Sequence, residues 1–536
     1  MVFKRLLAAA VQHSEARALK KELALLLKTN TLESRLQALH TLEFNFPSTY
    51  RLPWIYWGRL SDIAKQSYNA VEETIFQLSG ISDLELQILN TAKASRSPGS
   101  PGSPPEEMFT DIEASREVAR TLSPHVRLEY LLLAFLARKH QLSGLLSQDM
   151  LADKQLFLRD IDEEKIRDLL FDILTFTAIR RHMPQFVQNP KAMMRRLAAI
   201  ASYPFTQDIL NKNRVAAVNF QATQCTMHGK FDEAVDHYKK ASNMEGFNSS
   251  IFEQMHVVAD IKDVIRDHND TYHWYENKHQ TSFTYRHKTT DEQAVLISCD
   301  TKYFHSYAEL FLQVIGASNP SPLVHFHIVD SKPIDPHFEE LMLRWEKEYD
   351  VRLNWTFEVN HILHDRPQKK AAIASCARYM LLPEYLKAYK SIFISDIDGW
   401  INMPLEEFHN FGDGSLKINS WIWRKNQGYW RLLWGNIAAG NFSIKSDGPG
   451  RLYATLVSSY IKRLFKANAY NEKNIFFADQ TAMFLSLKYL EQQKAISFDF
   501  LIGGFSQSAH QSFHSRHDAK QKAMIEKLKE IKEQPN

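Results

Sequence analysis

The sequence predicts an α/β domain with a parallel sheet in the C-terminal half, preceded by an all-α N-terminal region. Two textures lead there. From residue 1 to about 270 leucines recur at three- and four-residue steps, the spacing of amphipathic helices. Beyond "HKTTDEQ" short apolar runs of strand type take over: "AVLISCD" from Ala294, "LVHFHIVD" from Leu323, "VRLNWTFEV" from Val351 and "SIFISDID" from Ser391. Between them lie "YFHSYAELFLQVIG", "DPHFEELMLRWEKEY" and "KAAIASCARYMLLPEYLKAY", which carry helical spacing. Strands alternating with helices of this length build a parallel sheet with helices on both faces.

Composition narrows the function classes. With 536 residues, 44% hydrophobic and 24% charged, the chain has material for several globular units. A formal charge of +3 gives no electrostatic case for nucleic acid as a partner. Cys225, Cys299 and Cys376 are too few and too scattered for a disulfide framework or a Cys-rich zinc site, so a reducing compartment is expected. In "MVFKRLLAAAVQHSEARALKKELALLL" the apolar stretch after Lys4 and Arg5 ends at Val11, which predicts an amphipathic helix rather than a signal peptide. No run has the ~18 apolar residues of a spanning helix, "YLLLAFLA" from Tyr130 included, and the expected location is cytoplasmic.

The expected organisation is a helical region over 1–93, a Ser/Pro/Gly linker or loop over 94–107, a second helical region over 108–285, and the α/β domain over 286–536. "ASRSPGSPGSPPEE" marks the linker, since its prolines exclude a helix and its composition excludes a core. In the second helical region "GKFDEAVDHYKKASNMEG" puts Gly229, Ala234, Tyr238 and Ala241 where the second half of a tetratricopeptide unit has them. Ala222 and Cys225 fill the small positions of the preceding helix, so the region resembles a tetratricopeptide (TPR) repeat in part. "HNDTYHWYENKH", from His268 to His279, reads as a solvated junction rather than a metal group.

The α/β domain carries its most telling residues at strand ends, where binding groups of such sheets collect: Asp300, Asp330, and the pair Asp396 and Asp398 in "FISDIDGW". Residues two apart on a strand share a face, so the pair is expected to point one way, with Ile397 turned to the other. Two such carboxylates suit a hard divalent cation. Ile397 and Trp400 rule out a calcium loop of the EF-hand type, and a solvated turn is the competing structural explanation.

The stretch "CARYMLLPEYLKAYKSIFISDIDGWINMPLEEF" resembles the donor-binding core of GT-A glycosyltransferases, whose fold is Rossmann-like. It is most similar to glycosyltransferase family 8, the glycogenin and bacterial galactosyltransferase group. The resemblance implies that Asp396 and Asp398 hold Mn2+ (or Mg2+) on the diphosphate of a nucleotide sugar, with Arg378 in the donor site. Other pieces follow in the family's order. "SCDTKY" resembles the first-strand nucleotide site, with Asp300 and Tyr303 matching and Lys302 in place of asparagine. "AAGNFSIK" matches at Ala439 and Gly440, with Ala438 where an amide is usual. "ADQTAMF" supplies Asp479 and Gln480, which the likeness places beside the reacting sugar. "FHSRHDAK" has His514 and Lys520 at the separation of the family's last metal ligand and its diphosphate-binding lysine, with His517 replacing a glycine.

The resemblance covers about Gln293 to Gln521 and implies a metal-dependent enzyme moving a sugar from a nucleotide-diphosphate donor, UDP-linked by the likeness, to a hydroxyl acceptor with retention. Asp479, Gln480 and Lys520 are its implied catalytic groups. The acceptor stays open between glycan, lipid-linked and protein species, and the helical region offers a surface for a protein partner. Two alternatives stand beside it: a scaffold whose GT-A domain is catalytically degenerate, and an inverting GT-A enzyme. Trp421, Trp423, Trp430 and Trp434 read equally as a sugar-stacking surface or a core edge.

Overall fold

A computed structural model describes residues 82–533 apart from 97–105, 110, 154–162, 182–189, 212–214, 245–256, 288–291, 334, 402–403, 421–428, 430–431, 472, 474 and 502–516. The chain divides into two compact units, one of Met1–Phe220 with Met244–Gln254, the other of Gln221–Asn243 with Met255–Asn536.

The described part of the first unit is helical, from Asp83–Arg96 to Pro204–Asn211. Asp111 caps Ile112–Thr121 by accepting from the Ala114 amide at 2.7 Å, satisfying a donor that the first turn leaves without a helical partner. The Tyr130 run lies in Pro124–Leu136 as buried core, with Leu131 and Ala134 fully covered. His140–Ala152 and Glu163–Arg181 approach closely because small residues line the contact. Ser143 and Ser147 are fully buried, and a Cβ on Gly144 would sit 2.7 Å from Thr177 Oγ1. Of the expected 94–107 linker, the helix extends to Arg96 and a 3-10 turn covers Glu106–Phe109. Among the described residues no helix is long and apolar enough to cross a membrane.

The second unit holds an eight-stranded sheet in the order β1-β4-β3-β2-β5-β7-β6-β8. The strands are β1 (His279–Thr284), β2 (Gln293–Asp300), β3 (Leu323–Asp330), β4 (Arg352–Asn360), β5 (Ser391–Ser395), β6 (Leu416–Ile418), β7 (Asn441–Lys445) and β8 (Phe498–Phe500). All four expected strands form, and β4, β3, β2 and β5 are mutually parallel. β1 runs antiparallel to β4, β7 antiparallel to both β5 and β6, and β8 parallel to β6, so the sheet is mixed.

Helices cover both faces. On one, Val295, Ile297, Phe326 and Leu353 pack with Phe304 and Phe311 of Thr301–Ser318 and with Met524 and Leu528 of His517–Glu533. On the other lies Lys370–Met380, whose Ala374 carbonyl accepts from Ser298 Oγ at 2.6 Å. This second face is polar although buried: His325, His327, Thr356 and Glu358 have no exposed surface. The groups bond to one another, His325 Nε2 meeting Thr356 Oγ1 at 2.8 Å and His327 Nε2 meeting Glu358 Oε2 at 3.1 Å, while the buried His327 Nδ1 is left without a partner among the described residues. Tyr275 also donates to Glu358 Oε1 at 2.8 Å. The segment expected as a solvated junction is therefore ordered: His268–Glu276 is a helix anchored by the buried Tyr275, and His279 opens β1.

The helix pair around Gly229 forms as Val215–Met227 and Phe231–Ser242. Gly229 has φ +75°, a left-handed conformation that glycine enters without steric penalty. Ala234, Tyr238 and Ala241 are buried. Phe231 meets Tyr429 and Phe484 edge-on, and Tyr238 lies 5.2 Å from Trp434, ring to ring.

Candidate functional site

Successive strands β2, β3 and β4 extend to one side, while β5 adds to the other edge of β2. The strand order thus reverses between β2 and β5, and ligands of open α/β sheets bind in the crevice beyond the carboxyl ends at such a point. Asp300 closes β2, and Asp396 and Asp398 follow β5 directly.

β5 stops at Ser395, so both carboxylates sit on a turn rather than on the pleat, and strand alternation does not set their direction. Each is held by a cation from a different helix. Arg378, in the last turn of Lys370–Met380, donates through Nη1 to the Ser395 carbonyl and through Nη2 to Asp396 Oδ1, both at 2.8 Å. Arg378 is only 2% exposed; burial works against its charge, but Asp396, Tyr379 and Asp479 outweigh that and raise its pKa. Asp398, also buried, accepts from Lys520 Nζ. Burial alone would lower the lysine pKa, yet the bond and charge of Asp398 push it up. Lys520 arrives on His517–Glu533, which also ties Gln521 Nε2 to the Ser306 carbonyl at 2.9 Å.

Asp300 has a structural duty besides its place at the strand end. Its Oδ1 accepts the Tyr303 amide at 2.8 Å and caps Thr301–Ser318. Its Oδ2 lies 3.9 Å from Lys370 Nζ, which also pairs with Asp330 Oδ2 at 3.3 Å. Lys370 thereby neutralises the ends of two adjacent strands, a role the sequence reading missed. The Tyr303 hydroxyl has a raised pKa, first through burial and then through Asp398. Gly440 packs its backbone onto Asp396: a Cβ there would come within 2.0 Å of Oδ2. The preceding Ala439 carbonyl accepts from the Tyr379 hydroxyl.

Asp479 and Gln480 open the helix Ala478–Gln492. Asp479 is buried and accepts the Gln480 amide at 2.8 Å. Burial pushes its carboxyl up to about 7, with Arg378 pulling down and Asp396 adding to the rise. Contacts and neighbouring charges thus link Asp300, Tyr303, Arg378, Asp396, Asp398, Ala439, Gly440, Asp479 and Lys520 into one cluster at the carboxyl ends of β2 and β5, with Gln480 following Asp479 on its helix. His514 lies outside the described residues, as do Trp421, Trp423 and Trp430. Trp434 is a core residue, 5% exposed against Tyr238.

Asp396 and Asp398 offer the hard oxygen ligands that a divalent cation takes, and each is engaged by a cationic side chain, Arg378 at Asp396 and Lys520 at Asp398. Among the described residues no cluster of three or more His, Cys, Asp or Glu forms a metal group. The chain matches no protein-family model, and no curated protein is significantly similar to it.

Proposed function

We propose that the chain is a metal-dependent glycosyltransferase that moves a sugar from a nucleotide-diphosphate donor, UDP-linked by the family likeness, to a hydroxyl acceptor with retention. One observation supports this reading: Arg378, Asp396, Asp398, Asp479, Tyr303 and Lys520, from segments distant in sequence, lie within one another's reach at the switch between β2 and β5. A solvated turn would not need the buried Arg378 and half-buried Lys520 that grip its two carboxylates.

In this reading Asp396 and Asp398, with His514, would hold Mn2+ or Mg2+. Such an ion, when bound, offsets the charge of the donor diphosphate. Arg378 fixes the Asp396 carboxylate through Nη2 and the preceding Ser395 carbonyl through Nη1, so that the carboxylate is oriented before any ligand arrives. Asp300 and Tyr303 stand where the nucleoside end of the donor would lie, beside the crevice edge that Lys370 neutralises. Lys520 places a positive charge where charge builds on the departing diphosphate. By the family likeness Gln480 would lie beside the reacting sugar, its main-chain amide tied to the buried Asp479 carboxylate.

The test is hydrolysis of a panel of nucleotide sugars by the full chain with manganese, followed by anomer analysis of the sugar released. Cleavage of at least one donor, dependent on manganese and giving the donor's own anomer, is expected. The opposite anomer would favour an inverting enzyme. No cleavage of any donor would favour the scaffold alternative.

A further inference from the structure

Resting on the transferase reading for its functional consequence, we propose that Tyr379 is a positioning residue that holds the Asp396 carboxylate in its working orientation by fixing the Ala439–Gly440 peptide against it. Arg378 and Tyr379 are neighbours at the end of Lys370–Met380, yet they reach different partners. Arg378 takes Asp396 Oδ1 and the Ser395 carbonyl. Tyr379 donates its hydroxyl to the Ala439 carbonyl, sixty residues away in sequence. The following residue is Gly440, whose backbone lies so near Asp396 Oδ2 that a Cβ would fall 2.0 Å from it. The carboxylate is thus confined on two sides, by a guanidinium at Oδ1 and by a main-chain wall at Oδ2. One helix end sets both.

Tyr379 is suited to the task. It has no exposed surface, its ring lies 6.4 Å from that of Phe442 in β7, and the Arg378 guanidinium carbon is 5.4 Å from its ring centroid. The wall is secured at its other end by the Ala438 amide, which donates to the Asn419 carbonyl at 3.0 Å. Without the tyrosine hydroxyl the buried Ala439 carbonyl loses its donor, and an unpaired buried acceptor drives the peptide to move. Displacement of about 0.5 Å is enough to spoil a preorganised site.

Tyr379→Phe keeps the ring and removes only the bond. Tyr460→Phe is the control, since Tyr460 is equally buried and its hydroxyl serves the Ala259 main chain instead. Crystal structures of the full chain and of Tyr379→Phe report the geometry, and electron paramagnetic resonance titration with manganese(II) alone reports the site. A shift of Asp396 and of the Ala439–Gly440 peptide by about 0.5 Å or more is expected, with manganese affinity lowered about tenfold in Tyr379→Phe and unchanged in Tyr460→Phe. Should Tyr379→Phe not fold, Gly440→Ala displaces the same carboxylate by building a Cβ on that wall and is expected to weaken manganese equally. Asp396 unmoved in Tyr379→Phe, or manganese affinity unchanged in whichever of the two variants is measured, would overturn the proposal. A parent chain that binds no manganese, with Asp396 displaced in the variant, would count against the transferase reading and leave the positioning role standing.

Discussion

At Lys520 the ammonium and the Asp398 carboxylate form an ion pair that is largely withdrawn from water. Within the proposed reaction that charge counts most as the glycosidic bond breaks, so Lys520→Ala should lower turnover roughly ten- to a thousandfold with a smaller effect on donor affinity. Lys520→Arg should recover part of the loss, because a planar fork does not reproduce a compact ammonium. Steady-state kinetics with turnover within about twofold of the parent would remove Lys520 from the chemistry. Asp479 makes a prediction of its own. Burial raises its carboxyl from 3.8 to about 7. The folded chain therefore holds a proton there that the unfolded chain has lost between those values, and this contribution to stability falls as pH rises through the window. Asp479→Asn should remove that dependence, so its stability relative to the parent should improve between about pH 4 and pH 7. Denaturant unfolding at both ends of the range checks it, and a constant difference would contradict the assignment. Asp396 and Asp398 were legible because carboxylates that close an apolar strand advertise themselves, and Lys520 only through the likeness of its motif to the family's. Tyr379 and Lys370 were not, because their partners lie far along the chain and no local pattern encodes the meeting.

The elements that sequence patterning revealed are those with continuous apolar runs, β2 and β5 above all. The strands it missed are at or near the edges, β6 and β8 having three residues each, too short for a period to register. His268–Glu276 was hidden differently: polar by composition, it is anchored through Tyr275 to a carboxylate buried in β4. The C-terminal helix depends on few apolar contacts for its docking. Met524 is fully buried in the core beneath Thr301–Ser318, so Met524→Ala should destabilise the unit by about 2–5 kcal/mol. The same change should loosen Lys520 and reduce any activity more than Lys527→Ala, whose side chain pairs with Glu530 near the surface. Equal unfolding midpoints in urea for Met524→Ala and the parent would show that the helix does not depend on this contact.

For the whole molecule, the division into units assigns Gln221–Asn243 to the same body as the sheet. The likeness of that segment to a repeat hairpin gave no hint of this, since it described the helices and not what they cover. Phe231 and Tyr238 pack on Tyr429, Phe484 and Trp434, so these helices complete the core of the sheet-bearing unit. A fragment of residues 215–536 should accordingly melt several degrees above one of residues 255–536, which exposes those aromatic partners. Equal melting temperatures would make the hairpin dispensable.

The central claim, that the crevice between β2 and β5 is a metal-dependent nucleotide-diphosphate site, is tested most directly by calorimetric titration of the full chain and of Asp398→Ala with UDP, with and without manganese. UDP should bind the parent only when manganese is present, and Asp398→Ala should lose that binding while keeping the parent's fold. UDP binding that is indifferent to manganese, or equal in the two chains, or absent from the parent under both conditions, would contradict it.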